Sequence, residues 1–443
     1  MTIKGIRGFL IDTPEQGKLR GIRDGAVMIG DGKILAAGSY DALKGRDEFA
    51  SANWRYSSEV VILPGLIDIH AHLPQYPAVA RHESGLLPWL EKHIFPLERE
   101  FNAAAARKSA PGFYESLARH GTTCAMLYAA IYEESCDEAF QIAEATGMRI
   151  ILGKVMMDDS TYGNLPKDKV LATSLAQSER LCRKWHGRGE GLLSYAFSPR
   201  FAVSCSREMM TEAASLAKKF DAYIQTHLSE NHDEIACVRQ RFPENTSYTD
   251  VYDSCHLLGD RTVLGHCIHL SDAEIEQLVS SKSIIAHCPT SNFFLRSGIM
   301  PLDRLQDAGL RIGLGSDVAG GPELNMWQVM RSTIEAQQAR SFYETDVRVP
   351  TPADALYLAT LGGAMGLGLD NAIGTLDVAK DADLIVINPS ACLPTASNSR
   401  NRLADFSAQD LLSLLVYRGG PHAVVETLVR GRSVYCAPNP RLL

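Results

Sequence analysis

The chain has 443 residues, 45% hydrophobic and 22% charged, with a formal net charge of -8. That balance suits a folded protein with a large core. It disfavours a broad nucleic-acid surface, for which a Lys/Arg run is wanting. No apolar run approaches the about 20 residues of a membrane span. Ten scattered cysteines without a C-x-x-C pair argue against a disulfide framework.

The head, from Met1 to Gly17, mixes Lys4, Arg7, Asp12 and Glu15 with short apolar pieces and carries no signal-peptide core. A cytoplasmic location is the expectation. Residues 25–38 hold two apolar runs flanking Asp31-Gly32, a hairpin signal. The middle alternates short apolar runs with helical patterns. Its strand candidates are 60–63, 122–128, 149–155, 193–197, 222–226, 262–264, 283–286 and 311–314, with helix-like spacing at 207–220, 272–280 and 302–308. Eight such units predict an α/β fold, a (β/α)8 TIM-type barrel with insertions. The runner-up, a doubly wound open sheet, usually brings a G-x-G-x-x-G turn, which this sequence lacks. In the tail, 383–387 and 424–429 read as strands, followed by Gly431 and Val434-Tyr435. Head and tail together predict a small β-sandwich domain of residues 1–62 and 375–443, beside a barrel of 63–374. The Ser/Asn/Arg-rich stretch 395–402 reads as a mobile loop.

The sharpest local signal is Asp68-Ile69-His70-Ala71-His72. On a strand, residues two apart point the same way, so His70 and His72 share a face. Alone, the pair suits a metal site and a solvated strand edge equally. Four further strand ends tip the balance: His227, His266, His287 and Asp317 each follow a short apolar run. Barrel enzymes place catalytic groups at the C-terminal ends of their strands. Histidines with a carboxylate suit a borderline metal such as zinc. Which of them ligate is left open by the pattern itself.

These residues lie in Pro64–His72, Gln225-Thr226-His227-Leu228-Ser229-Glu230-Asn231, Ala286–Asn292 and Gly313–Gly321. With Pro74-Gln75-Tyr76-Pro77, Trp89-Leu90-Glu91-Lys92, Phe95-Pro96, Gly153–Asp158 and Ser198-Pro199-Arg200-Phe201, they make the chain resemble the aminohydrolase branch of the amidohydrolase superfamily. Within it the chain resembles the guanine deaminases, from about residue 60 to the tail. The H-x-H and the terminal Asp belong to the whole superfamily; the Pro-Gln-Tyr-Pro, Trp-Leu-Glu-Lys and Pro-Arg-Phe pieces are more specific. The resemblance implies that His70, His72, His227 and Asp317 bind one zinc, with iron the other candidate. It implies that His266 contacts the water or leaving group, that Glu230 shuttles the proton, and that Asp317 takes a proton from water. It further implies that Gln75, Arg200 and Phe201 read a purine base, that guanine becomes xanthine and ammonia, and that the protein is a homodimer.

The fourth strand ends in Phe197-Ser198-Pro199-Arg200, without the lysine that two-metal relatives carboxylate. The alternative is a deaminase or chlorohydrolase of the same branch acting on another aminated heterocycle: cytosine, 8-oxoguanine, a pterin or a triazine. A non-catalytic barrel is disfavoured because every expected ligand and Glu230 are present. The H-x-E at His232-Asp233-Glu234 lacks the P-C-x-x-C of cytidine deaminases. His82 and His93 are expected near the mouth, His287 at the pocket or in a structural bond, and 86–95 as a lid or dimer contact.

Overall fold

Asp31 and Gly32 both take positive φ, 49° and 77°. This is the turn geometry that matches the twist of paired strands. It joins β2 (Lys18–Gly30) to β3 (Lys33–Ser39), and β2 pairs on its other edge with β1 (Lys4–Glu15). The computed structural model that shows this describes residues 3–57, 59–159, 166–394 and 405–438. The stretch 395–402 lies outside the described residues.

The short β4 (Asn53–Arg55) lies beside β1. β5 (Val61–Pro64) pairs parallel with β1 and antiparallel with the tail strand β15 (Leu384–Ile387). With β16 (Val424–Val429) and β17 (Arg432–Cys436), the two ends of the chain make one mixed sheet of order β17-β16-β15-β5-β1-β2-β3. Its apolar face packs Ile6, Leu10, Val27, Ile62, Leu384 and Val386 into a core. One expectation is corrected here. The run at 60–63 is a strand of this sheet, not the first barrel strand. Its continuous apolar pattern fits a buried strand of either sheet, and the break at Gly65 separates it from the barrel.

The barrel begins at β6 (Leu66–His72). It continues through β7 (Thr122–Tyr128), β8 (Arg149–Gly153), β10 (Leu193–Pro199), β11 (Tyr223–Leu228), β12 (Thr262–His266), β13 (Ile284–His287) and β14 (Arg311–Leu314), each beside the last. The predicted strand 149–155 divides, its end forming the short β9 (Val155–Met156) against β10. The backbone of Asp317 donates to His70 O at 2.8 Å, and that of His72 to Val318 O at 2.9 Å, nearly closing the ring. Strands covered on both faces read as apolar runs, which is how Cys124–Tyr128 of β7, Ile150–Leu152 of β8 and Ile284–Ala286 of β13 appear.

The Arg207–Phe220 helix shows how the intervening segments form. Ser206 Oγ accepts from Met209 N at its start, Asp221 ends it in a left-handed turn, and Met209, Met210, Ala213 and Ala217 form its buried stripe. Two compact units divide the chain: Met1–Asp68 with Glu115–Cys124 and Asn325–Leu443, and Ile69–Tyr114 with Ala125–Leu324. All ten cysteines are free. Among the described residues no helix is long and apolar enough to cross a membrane.

Candidate metal centre and base pocket

The second unit gathers the polar strand ends. His70 and His72 come from β6, His227 from β11, His266 from β12, and Asp317 follows β14; all are buried. His266 and Asp317 have positive φ, 72° and 48°. Such left-handed backbone in residues with a Cβ clusters where side chains must be re-aimed at a site. The ring of His70 lies so close to Gly265 that a Cβ there would stand 2.7 Å from its Cε1. Glycine is what β12 needs beside that imidazole.

The ligand-capable atoms of His70, His227, His266 and Asp317 all lie within 4.8 Å of one another. His72 stands beside them, its Nε2 3.2 Å from Asp317 Oδ1 and 3.3 Å from His227 Nε2. Asp317 Oδ1 is 3.3 Å from His70 Nε2, and its Oδ2 is 3.7 Å from His266 Nε2. The structure thus brings together five of the six strand-end residues singled out from the sequence, leaves His287 outside the group, and puts His266 within the tightest four.

The imidazoles of His70, His227 and His266 and the Asp317 carboxylate form a metal-binding site, with His72 beside it. Burial holds His72 down at about 4. Burial and the neighbouring imidazoles hold His227 well below its ordinary range. Both rings are therefore neutral and keep a lone pair. His227 Nδ1 lies 2.7 Å from Arg200 O, so that nitrogen carries the proton and Nε2 offers the lone pair. His266 Nδ1 is likewise turned to Asn292 Oδ1 at 3.0 Å. Burial opposes the charge on Asp317, but its contacts with His70 and His72 outweigh it and hold the carboxyl well below its usual range.

Glu230 follows β11 on the opposite protonation logic. Burial, with the charge of Asp317, pushes it up to about 8. Its Oε1 accepts from Ser297 Oγ at 2.9 Å, and its Oε2 is 3.4 Å from His266 Nε2. Its backbone is fixed by Glu234, whose Oε2 accepts from the N–H groups of Glu230 and Asn231. One carboxyl held ionised and one held protonated, side by side, make an acid–base pair.

The centre opens into a cavity. Gln75, Arg200 and Phe201 line it, as do Trp89 and Leu295. The 86–95 segment supplies Leu86, Trp89 and Leu90 to this wall. His82 and His93 do not line it. His287 is buried outside it, with neither ring nitrogen hydrogen-bonded among the described residues.

Sequence reasoning missed Glu98. This residue is buried on the short Phe95–Arg99 helix, where Gln75 Nε2 donates to its Oε1 at 2.9 Å and Arg200 Nη1 to its Oε2 at 2.5 Å. Nothing in its local sequence separates it from the exposed Glu91 and Glu100 nearby. Ser297 and Asn292 were missed for the same reason, lying in loop or short-helix segments without a repeating pattern.

Residues 61–434 match the model of the Amidohydrolase family. Guanine deaminase of Escherichia coli (strain K12) is 36% identical over 449 residues, covering 98% of both chains. A solved guanine deaminase from C. acetobutylicum, with bound guanine in the active site, is similar at TM-score 0.89 and 30% identity, covering 98% of this chain and 100% of that one. An adenosine deaminase from Xanthomonas campestris with bound Zn gives TM-score 0.82 at 26% identity, covering 97% and 92%.

Proposed function

The chain belongs to the amidohydrolase family and, within it, to the guanine deaminases, and from that premise we propose that it hydrolyses guanine to xanthine and ammonia. One observation carries the reading. A single cavity is lined by the carboxyl groups of Asp317 and Glu230, the first held well below its usual range and the second pushed up to about 8, together with Gln75 and Arg200. That is a site for acid–base attack on a ring whose edge offers hydrogen-bonding groups.

His70, His72, His227 and Asp317 would hold one zinc, with His266 close enough to share in it and iron the other candidate. When bound, the metal supplies a Lewis acid that lowers the pKa of water toward about 7. Asp317 takes the proton of the attacking water. Glu230 gives its proton to ring N3 as C2 becomes tetrahedral. His266, with Nδ1 turned to Asn292, keeps Nε2 on the attacking oxygen. The proton held by Asp317 then reaches the exocyclic amine, the C2–N bond breaks and ammonia leaves, while the C2 hydroxyl becomes the new carbonyl and returns its proton to Glu230. Arg200 offers donors to O6, Gln75 bonds the polar edge, and Phe201 packs against the ring.

The same reading takes residues 63–374 as the catalytic barrel and 1–62 with 375–443 as the composite β domain. It takes the protein as a cytoplasmic homodimer, for which sedimentation is the check on the dimer. The test of the activity is ammonia release by purified protein from guanine, 8-oxoguanine, cytosine, melamine and a pterin, with metal measured in the same sample. Guanine is the expected substrate. Ammonia from cytosine and none from guanine would overturn that choice.

A further inference from the structure

We infer that Glu98 is the positioning residue through which the pocket selects a base bearing a neutral carbonyl, an inference that rests on the guanine reading above. Glu98 does not line the cavity. It sits one residue behind it, with each carboxylate oxygen committed to a different pocket side chain, Gln75 and Arg200.

A carboxylate only accepts hydrogen bonds, so it decides which way the Gln75 amide faces. With Nε2 on Glu98, the Gln75 oxygen is left on the other side, 3.4 Å from Ala319 N. The amide then presents an oxygen where the opposite flip would present an NH2. On Arg200 the same carboxylate acts twice. It fixes Nη1 at 2.5 Å while the Phe95 ring lies 5.3 Å from the guanidinium carbon, so one short helix holds the fork from two sides. It also cancels the Arg200 charge inside a buried site. What remains for a ligand at Arg200 is a fixed set of donors without a net positive charge. That suits a carbonyl oxygen and gives an anion no advantage.

The experiment compares kcat and KM of the metal-loaded wild type, Glu98→Gln and Glu98→Asp on guanine and on 2-aminopurine. The second base carries the C2 amine and lacks the O6 carbonyl. Glu98→Gln is expected to keep its metal and to raise KM for guanine about tenfold or more, with a smaller change in kcat. The preference for guanine over 2-aminopurine should fall by a similar factor, and Glu98→Asp should restore part of it. In an Arg200→Gln background, Glu98→Gln should add little. That double variant leaves no buried charge unpaired, so it keeps the test alive if the single variant folds poorly. Equal losses on both bases, or loss of metal, would reduce Glu98 to a structural role and overturn the inference. An unchanged Glu98→Gln in an active protein removes this inference alone. A wild type silent on guanine removes the substrate reading and this inference with it.

Discussion

The two walls of the cavity are built differently. The metal wall is made of strand ends: His70, His72, His227, His266 and Asp317 each sit where a buried strand gives way to its loop. The base wall is made of short, irregular pieces: the turn carrying Gln75, the segment from Leu86 to Arg99, and the Arg200-Phe201 corner after β10. The first wall inherits its geometry from the hydrogen-bonded barrel. The second depends on side-chain contacts among its own members, with Glu98 at the hub. Damage to the metal wall should therefore abolish chemistry, whereas damage to the base wall should degrade selection.

The largest effect tests the metal wall as a whole. Chelation should take turnover to background, and zinc should restore it, with the fold retained by circular dichroism. Full-speed turnover by a metal-depleted sample would break the contrast at its root. Next comes Glu230→Gln, which keeps the shape and removes the transferable proton. Metal stoichiometry should hold while kcat falls about 1,000-fold, within the usual range for an acid–base group. Unimpaired turnover would reject the shuttle. Arg200→Ala is the corresponding cut in the base wall. Losing a buried hydrogen bond worth about 1–3 kcal/mol should lower kcat/KM roughly 5- to 150-fold with zinc still in place. If Arg200→Ala lost its metal, the two walls would not be separable.

The same division explains what the sequence made legible. An H-x-H on a strand and a polar residue after each apolar run are periodic signals, and periodicity carries over from chain to fold. All five metal-wall residues were accessible that way, and so were the hairpin at Asp31-Gly32 and the Arg207–Phe220 helix. Val61–Pro64 was misassigned because an apolar run states that a strand is buried without stating in which sheet. Gln75, Arg200 and Phe201 were reached through family resemblance, not periodicity. Glu98 had neither: its meaning lies in partners 23 and 102 residues away.

Not every polar strand end belongs to the metal wall, and Lys154 gives the smallest test. It follows β8, yet its buried ammonium donates to Ser174 Oγ at 2.8 Å and Val155 O at 3.3 Å instead of facing the cavity. Burial lowers its pKa from 10.5 to about 8. Below about pH 8 the lysine is charged in both folded and unfolded chains, and the folded protein bears the full cost of burying that charge. Between about 8 and 10.5 the folded protein sheds the proton first, so the unfolded chain binds more protons and stability rises with pH. Lys154→Met removes the buried charge. It should stabilise the fold at neutral pH by at most roughly 3 kcal/mol, the equivalent of that shift, and flatten the rise. Urea unfolding from about pH 7 to about pH 10 reads both effects, with turnover as the control. A variant that unfolds more readily at pH 7, or one that loses turnover, would mean that Lys154 holds the third strand in place for the site and that the barrel side of the contrast has been drawn too simply.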